Sequence, residues 1–313
     1  MIAFIFPGQG SQKVGMGREL AEHVPASRAV FEAADRALGE SLSTICFEGP
    51  EDRLALTENT QPAILTASVA GTRLLASAGI RPDIVAGHSL GEYSAHVVAG
   101  TLAFEDAVRI VRRRGQYMQE AVPVGQGAMA AVLGVSRDIV EQACRDAAEG
   151  EVVSPANFNA PGQVVIAGTA PAVARASERA KALGARRVIP LAVSAPFHCA
   201  LMKPAELKLA PELRALAVSN PSVPVVANVD AQPKTTAAAG IEALIAQIAA
   251  PVQWEAVVER LASAGVRAYV EVGPGTVLSG LVKKIDRTAR VPALESPGQL
   301  AAVVAVVQDA ASV

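Results

Sequence analysis

Residues 83–96 read Asp83-Ile84-Val85-Ala86-Gly87-His88-Ser89-Leu90-Gly91-Glu92-Tyr93-Ser94-Ala95-His96, a short apolar strand that runs through a tight turn into a helix. At the tip of the turn, Gly87-His88-Ser89-Leu90-Gly91 has the form G-x-S-x-G. The glycines have a steric reason: a nucleophile held on a strained strand-to-helix turn needs neighbours without a Cβ. Alone, the pentapeptide also fits an ordinary strand-loop-helix connection. The strand-like Ile84-Val85-Ala86 before it and the helical pattern from Glu92 to Ala99 after it supply the context the motif requires. Because the helix begins directly after Ser89, its free amides and the positive end of its dipole face the point where an attacked carbonyl gains negative charge. Leu90 N–H is the first oxyanion donor expected there.

Working outward, Ile2 to Phe6 reads as a buried strand followed by the loop Pro7-Gly8-Gln9-Gly10-Ser11-Gln12. Helical patterns follow near Gly15 to Glu22, Ser27 to Leu38, Gln61 to Ser77 and Phe104 to Glu120. Strands alternating with helices predict an α/β fold with a parallel sheet covered on both faces. Pro123 and Gly125 break this rhythm. Beyond them come a strand (Ala128 to Leu133), a helix (Ser136 to Ala148), two short strands (Val152 to Ala156, Gln163 to Ala167), a helix (Pro171 to Leu183) and a strand (Arg187 to Val193). The order β-α-β-β-α-β is that of a ferredoxin-like unit. It predicts a small subdomain, 125–195, inserted into a larger domain made of 1–124 and 196–313. After Pro196 the larger pattern resumes with a strand at Pro224 to Ala227, helices near Glu242 to Ala249 and Trp254 to Ala264, a strand at Ala268 to Val272, and helices from Thr276 and Gln299. Ala237-Ala238-Ala239 reads as a loop or a helix start.

The 313 residues exceed what one domain usually holds, and 51% hydrophobic with 19% charged residues describes a packed globular chain. A net charge of -2 gives no electrostatic case for nucleic acid or an anionic membrane as partner. Cys46, Cys144 and Cys199 are odd in number and widely spaced, which fits free thiols in a reducing compartment. The opening Met1-Ile-Ala-Phe-Ile-Phe-Pro-Gly lacks a basic leader and reads as a first strand, and no apolar run approaches the ~18 residues of a membrane span. A soluble, cytoplasmic protein is the expectation.

A serine nucleophile needs a base, and the sequence holds four histidines. His23 lies in a polar surface pattern, His88 adjoins the serine and is expected to pack under the turn, and His96 sits too far along the elbow helix. His198, in Ser194-Ala195-Pro196-Phe197-His198-Cys199-Ala200, lies where the insert hands back to the large domain, a seam at which clefts form. By elimination it is the expected general base, the alternative being a histidine that packs a loop.

Other motifs read less specifically. Gly125-Gln126-Gly127-Ala128-Met129-Ala130 matches G-x-G-x-x-A but follows a helix and opens a strand, the wrong order for a dinucleotide site. Gly273-Pro274-Gly275 follows a strand and opens a helix, which fits either an anion site or tight packing beside the active-site loops. Arg112, Arg113 and Arg114 fan to different helix faces; Arg112 and Arg113 are read as solvated charge or part of a docking patch. Cys199 reads as a packed small residue. No cluster has metal-ligand spacing, since His88 and Glu92 stand alone.

Several stretches together resemble one family. Phe6-Pro7-Gly8-Gln9-Gly10-Ser11-Gln12, Gly87-His88-Ser89-Leu90-Gly91-Glu92-Tyr93, Arg114-Gly115 with Met118-Gln119, Asn157-Phe158-Asn159 with Pro161-Gly162-Gln163, Pro196-Phe197-His198, Pro251-Val252-Gln253-Trp254 and Val272-Gly273-Pro274-Gly275 are similar to the malonyl-CoA:acyl carrier protein transacylases, in the family's order and from end to end of the chain. The resemblance implies an α/β-hydrolase-like domain with a ferredoxin-like insert. It implies that Ser89 is the acyl-accepting nucleophile and His198 its base, that the N–H groups of Gln9 and Leu90 form the oxyanion hole, and that the carbonyl of Gln253 orients the histidine, the job an Asp performs in a Ser-His-Asp triad. Arg114 would pair with the malonyl carboxylate, and Phe197 would leave little room for a methylmalonyl branch.

The implied activity is transfer of malonyl from malonyl-CoA to the phosphopantetheine thiol of an acyl carrier protein through a malonyl-serine, in fatty acid synthesis, by a monomer without cofactor. A discrete acyltransferase serving a polyketide synthase fits the same residues. An acyl-thioester hydrolase is the alternative from another class, against which Arg114 speaks, since most acyl chains lack a carboxylate to satisfy it. A non-catalytic binding module is disfavoured by the presence of Ser89, His198 and Gln253 together.

Overall fold

In a computed structural model, which describes residues 1–311, the chain forms two sheets. The strands are β1 (Ile2–Phe6), β2 (Ile84–Gly87), β3 (Gly127–Leu133), β4 (Val153–Ala160), β5 (Gln163–Thr169), β6 (Arg187–Pro190), β7 (Val225–Val226), β8 (Pro233–Lys234), β9 (Ala268–Val272) and β10 (Ala293–Leu294). The larger sheet has the order β10-β9-β1-β2-β7-β8, parallel throughout except for the antiparallel β8. β1 is apolar at every position because it is covered from both sides. Phe4 and Phe6 enter one hydrophobic cluster and Ala3 and Ile5 another, as the alternation of a strand requires. The register Phe6↔Gly87 brings the ends of β1 and β2 level, so the Gln9 loop leaves the sheet beside the Ser89 turn.

The smaller sheet, β4-β5-β3-β6, is antiparallel throughout. Counted within 127–190 it has the order 2-3-1-4 with two helices, Arg137–Ala147 and Ala170–Ala182, packed over their own core. That is the ferredoxin-like arrangement its sequence order predicts. Entry and exit of this unit lie together: a Cβ on Gly127 would fall 2.4 Å from the ring of Pro196.

β4 runs further than its sequence pattern indicates, to Ala160. Its extra residues pair with β5 across register shifts at Pro155/Asn157 and Phe158/Ala160. They are also tied to the large domain, Phe158 N–H donating to Val252 O and Val252 N–H to Ala156 O, each at 2.9 Å. Asn157 and Asn159 are carried by this extension to the mouth of the large sheet. The helices Leu42–Glu48, Glu51–Ala55 and Lys203–Arg214 have no counterpart in the sequence reading; the last begins with Pro204 in its first turn and contains Pro211, residues that read as breaks. Ala237 opens the helix Ala237–Gln247, capped by the Thr236 hydroxyl.

Candidate active site

The turn after β2 has the geometry a nucleophile elbow needs. Ser89 takes φ 50° and ψ -108°, a costly conformation for a residue with a side chain. The glycines on either side make it feasible: a Cβ on Gly91 would lie 2.0 Å from Phe6 O, and one on Gly87 2.0 Å from the Gly91 carbonyl. The strain is held by Asn228, which is wholly buried. Its Oδ1 accepts Ser89 N–H at 2.7 Å and its Nδ2 donates to Gly87 O at 2.7 Å.

His198, also at positive φ (59°), meets this turn from the segment that leaves the insert. Its Nε2 lies 2.7 Å from Ser89 Oγ. On the other side of the ring, Nδ1 is 2.9 Å from the carbonyl of Gln247. A carbonyl only accepts, so Nδ1 carries the proton and Nε2 presents its lone pair to the serine. Burial, reinforced by the Arg114 charge, pushes the imidazole pKa down to about 3, so the ring is neutral and able to accept a proton at any ordinary pH.

The orienting carbonyl is a correction to the sequence reading, which assigned it to Gln253. Gln253 instead precedes the helix Trp254–Ser263; its carbonyl accepts Val257 N–H and its side chain meets Arg137 at 3.2 Å. Gln247 ends the helix Ala237–Gln247, where carbonyls lack intrahelical donors, and this is the physical reason that its oxygen is free for the histidine.

Arg114 reaches the same point from the helix Phe104–Ala121 and is 2% exposed. Nη1 donates to Gln61 Oε1 at 2.7 Å, and Nη2 to Gln247 Oε1 at 2.9 Å and to Ser89 Oγ at 3.2 Å. Its Nε has no partner among the described residues. A guanidinium 3.2 Å from the nucleophile is placed to meet a carboxylate on a group attached there. Neither neighbouring arginine joins it. Arg112 is bound to Glu40 and Asn59 and is therefore not the solvated charge the sequence suggested, while Arg113 is exposed and pairs with Glu212 at 3.2 Å.

A cavity of about 480 Å³ opens over these groups, with Gln9, Leu90 and Phe197 in its wall. Leu90 is the first residue of its helix, and neither its N–H nor that of Gln9 meets an acceptor among the described residues. The Gln9 side chain is pinned by the Thr57 hydroxyl at 2.8 Å. His88 packs on Trp254, as a residue under the turn should, and its Nε2 is also 2.8 Å from Asn159 Oδ1. A larger groove of about 1220 Å³ lies on the insert, but its cations are paired, Arg175 with Glu149 and Glu151, Arg179 with Asp146 and Lys181 with Glu178. Among the described residues no group of three or more His, Cys, Asp or Glu is placed to hold a metal, and no helix is long and apolar enough to cross a membrane.

Gln61, Asn228 and Gln247 were not singled out in the sequence, and Glu92 was weighed there only beside His88 as a metal ligand. Glu92 stands inside the elbow motif, so its position was legible and its burial was not. The others come from distant segments with no local motif.

The chain is similar to known proteins over nearly its whole length. The family model of the acyl transferase domain matches residues 3–308. The chain is 53% identical to a malonyl CoA-acyl carrier protein transacylase of Salmonella typhimurium, over 96% of this chain and 97% of the relative. An acyl carrier protein S-malonyltransferase from Vibrio cholerae superposes with a TM-score of 0.94 at 48% identity, covering 96% and 99% of the two chains. A malonyl-transacylase in complex with a type II PKS acyl-carrier protein superposes with a TM-score of 0.95 at 46% identity, covering 97% and 99%.

Proposed function

We propose, from the premise that this chain belongs to the acyl transferase family and within it to the malonyl CoA-acyl carrier protein transacylases, that Ser89 carries the malonyl group from one thioester to the other. The enzyme moves malonyl from malonyl-CoA to the phosphopantetheine thiol of an acyl carrier protein. Supply of malonyl units to fatty acid synthesis in the cytoplasm is the setting we assign to it.

The observation that carries the residue assignment is the meeting at Ser89 Oγ of a base, His198 Nε2 at 2.7 Å, and a cation, Arg114 Nη2 at 3.2 Å. His198 takes the serine proton as Oγ attacks the thioester carbonyl, and the N–H groups of Gln9 and Leu90 receive the developing oxyanion. Collapse expels CoA, whose sulfur takes the proton back from His198. The malonyl-serine then meets the carrier thiol, and the same steps run in reverse order, which makes the reaction ping-pong. Gln247 O keeps the imidazole in the tautomer both half reactions need. Arg114 pairs with the free carboxylate of malonyl, and an acetyl group would leave that donor unmatched. Loss of a hydrogen bond to a charged group costs about 1.5–3 kcal/mol, roughly a tenfold to hundredfold preference. Phe197 walls the acyl end against branching. Residues 125–195 act as one half of the cleft and 1–124 with 196–313 as the other.

Intact mass after brief mixing with malonyl-CoA tests the assignment. A malonyl adduct is expected on the wild type, absent in Ser89→Ala and cleared by a phosphopantetheinylated carrier, while Arg114→Ala gains acetyl labelling. An adduct lost to water at one rate with or without carrier would make the protein a hydrolase. Fatty acid and polyketide carriers, offered side by side, report which is preferred.

A further inference from the structure

Behind the elbow the fold buries a carboxylate that the transfer chemistry does not use. Glu92, 0% exposed, stands in the first turn of the helix Leu90–Val98. Its Oε2 accepts Asn228 N–H at 3.0 Å and Gln247 Nε2–H at 2.8 Å. Its Oε1 is buried with no hydrogen-bond partner among the described residues. The Gln247 amide continues the chain, since its Oε1 accepts from Arg114 Nη2 at 2.9 Å. One primary amide therefore joins a buried guanidinium to a buried carboxylate. The titratable groups around Glu92 are Arg114 from the helix Phe104–Ala121, Tyr93 beside it on its own helix, and Asp230 from the loop after β7; His198 lies against Arg114.

Charge counting gives this arrangement a consequence. In the empty site one cation faces one carboxylate. A malonyl group on Ser89 brings a second carboxylate to the same cation, leaving a net negative charge where water is excluded. Such a charge is costly, and a buried site relieves it by protonating the carboxylate with the weakest set of donors. The malonyl carboxylate meets the guanidinium directly, whereas Glu92 has neutral donors on one oxygen and none on the other.

We propose that Glu92 is the counter-charge of Arg114 in the empty site, and that the malonyl carboxylate displaces it from this role by driving a proton from solvent onto Glu92 Oε1. The proposal rests on the reading of Arg114 as the malonyl-carboxylate partner. No bond to the substrate changes in this step; the proton comes from the buffer on loading and returns to it when malonyl leaves. Burial already raises the Glu92 pKa to about 7 with Arg114 opposing the rise, so a second negative neighbour has little further to push. Glu92 is in this sense a positioning and specificity residue that acts through Gln247 and Arg114. Above neutral pH the preference for malonyl over acetyl should weaken by about threefold to tenfold per pH unit.

Calorimetry on the Ser89→Ala protein, which binds without transfer, tests this at pH 8 in buffers of different ionisation heat. Acetyl-CoA carries the same nucleotide, so subtracting its proton number removes the contribution of the CoA phosphates. The expected excess for malonyl-CoA is about half to one proton. In Ser89→Ala/Glu92→Gln, where an amide can keep both accepted hydrogen bonds, the excess should vanish and the malonyl-to-acetyl affinity ratio should stay flat from about pH 6 to 8.5. A purely structural Glu92 would change both ligands alike and leave the proton number intact. Equal proton numbers for the two ligands in the Ser89→Ala protein would overturn the proposal without recourse to the Glu92 variant. Arg114→Ala on the same background separates the two levels. If malonyl preference survives it, the Arg114 reading fails; if preference is lost with Arg114 removed but the Ser89→Ala protein itself shows zero proton excess, only the Glu92 inference fails.

Discussion

Two strand-to-helix junctions flank β1 on the same sheet. β2 turns at Gly87-His88-Ser89 into the helix Leu90–Val98, and β9 turns at Gly273-Pro274-Gly275 into the helix Val277–Ile285. Both are glycine-rich, both place a positive-φ residue at the turn (Ser89 at 50°, Gly273 at 137°), and both bring a helix N-terminus close to the end of a parallel strand. They differ in what meets the free amides. At the second junction the β9 residue Glu271 turns its carboxylate into the helix and accepts Leu278 N–H at 2.9 Å, Ser279 N–H at 2.6 Å and the Ser279 hydroxyl at 2.6 Å. At the first, Asn228 takes only the Ser89 amide, and Leu90 N–H is left facing the cavity. The fold supplies helix N-termini at the sheet edge; a site arises where the chain leaves donors unmatched and brings a base. The anion site suggested for Gly273-Pro274-Gly275 is already filled by the protein's own carboxylate, and the packing alternative is the one realised.

The sharpest break of this comparison comes from the base. His198→Ala should lower the rate of malonyl loading by about 10²- to 10⁴-fold, measured by rapid quench and intact mass, with folding unchanged by near-UV circular dichroism. Loading at the wild-type rate would mean that the open junction alone suffices, and the contrast between the junctions would reduce to their amides.

Glu271→Ala makes the complementary change. Unfilling the second junction leaves buried donors unmatched, at about 3 kcal/mol of stability, read as a lowered urea midpoint. No gain of acyl transfer is expected there, since no nucleophile or base faces the opened amides. Malonyl labelling that persists in Ser89→Ala/Glu271→Ala would refute that view.

The two junctions also differ in their response to acid. The first is surrounded by buried neutral histidines: burial lowers His198 to about 3, His96 to about 4, and His88 in the same direction. An unfolded chain binds these protons near pH 6.5 and the folded one does not, so stability is lost as pH falls from about 6.5 towards 4. Glu92, raised to about 7, acts with the opposite sign between about 4.5 and 7, and Glu271, also raised by burial, acts in the same sense as Glu92. The histidines outnumber them, and the net slope is destabilising in acid. His96, which packs against Gly240 with no hydrogen-bond partner on either ring nitrogen among the described residues, contributes about 2 kcal/mol of the loss between pH 7 and 5. His96→Leu should flatten the urea-midpoint profile by that amount, and an unchanged slope would remove His96 from the account.

Legibility in the sequence followed a physical divide between side chains and backbone atoms. Ser89 was readable because a strained turn restricts its neighbours to glycine, and His198 because elimination among few histidines left it at a seam. The β-α-β-β-α-β insert was readable from periodicity alone. Gln247 was not, because its orienting contact uses a backbone carbonyl freed by a helix end, which any residue type could provide. Asn228 and Gln61 were hidden for another reason: their roles exist only once segments 139 and 53 positions away, respectively, are folded onto Ser89 and Arg114.

The smallest effect is the most direct test of that divide. Gln253 and Gln247 are near neighbours in sequence, and the family resemblance favoured the first while the geometry uses the second. Gln253→Ala removes a side-chain contact to Arg137 at 3.2 Å and leaves in place the backbone bond from Gln253 N–H to Asn228 O at 2.9 Å. That contact is half exposed, so its loss is worth a few tenths of a kcal/mol, and the loading rate should stay within about a factor of two of wild type. Gln247→Ala retains the carbonyl that orients His198 but removes the amide that joins Arg114, Ser89 and Glu92. Its loading should therefore keep the pH profile of a neutral histidine while losing discrimination between malonyl and acetyl. Gln253→Ala likewise keeps its backbone carbonyl, so if it slowed loading as much as His198→Ala, the Gln253 side chain would have to hold a role in the site beyond its contact with Arg137.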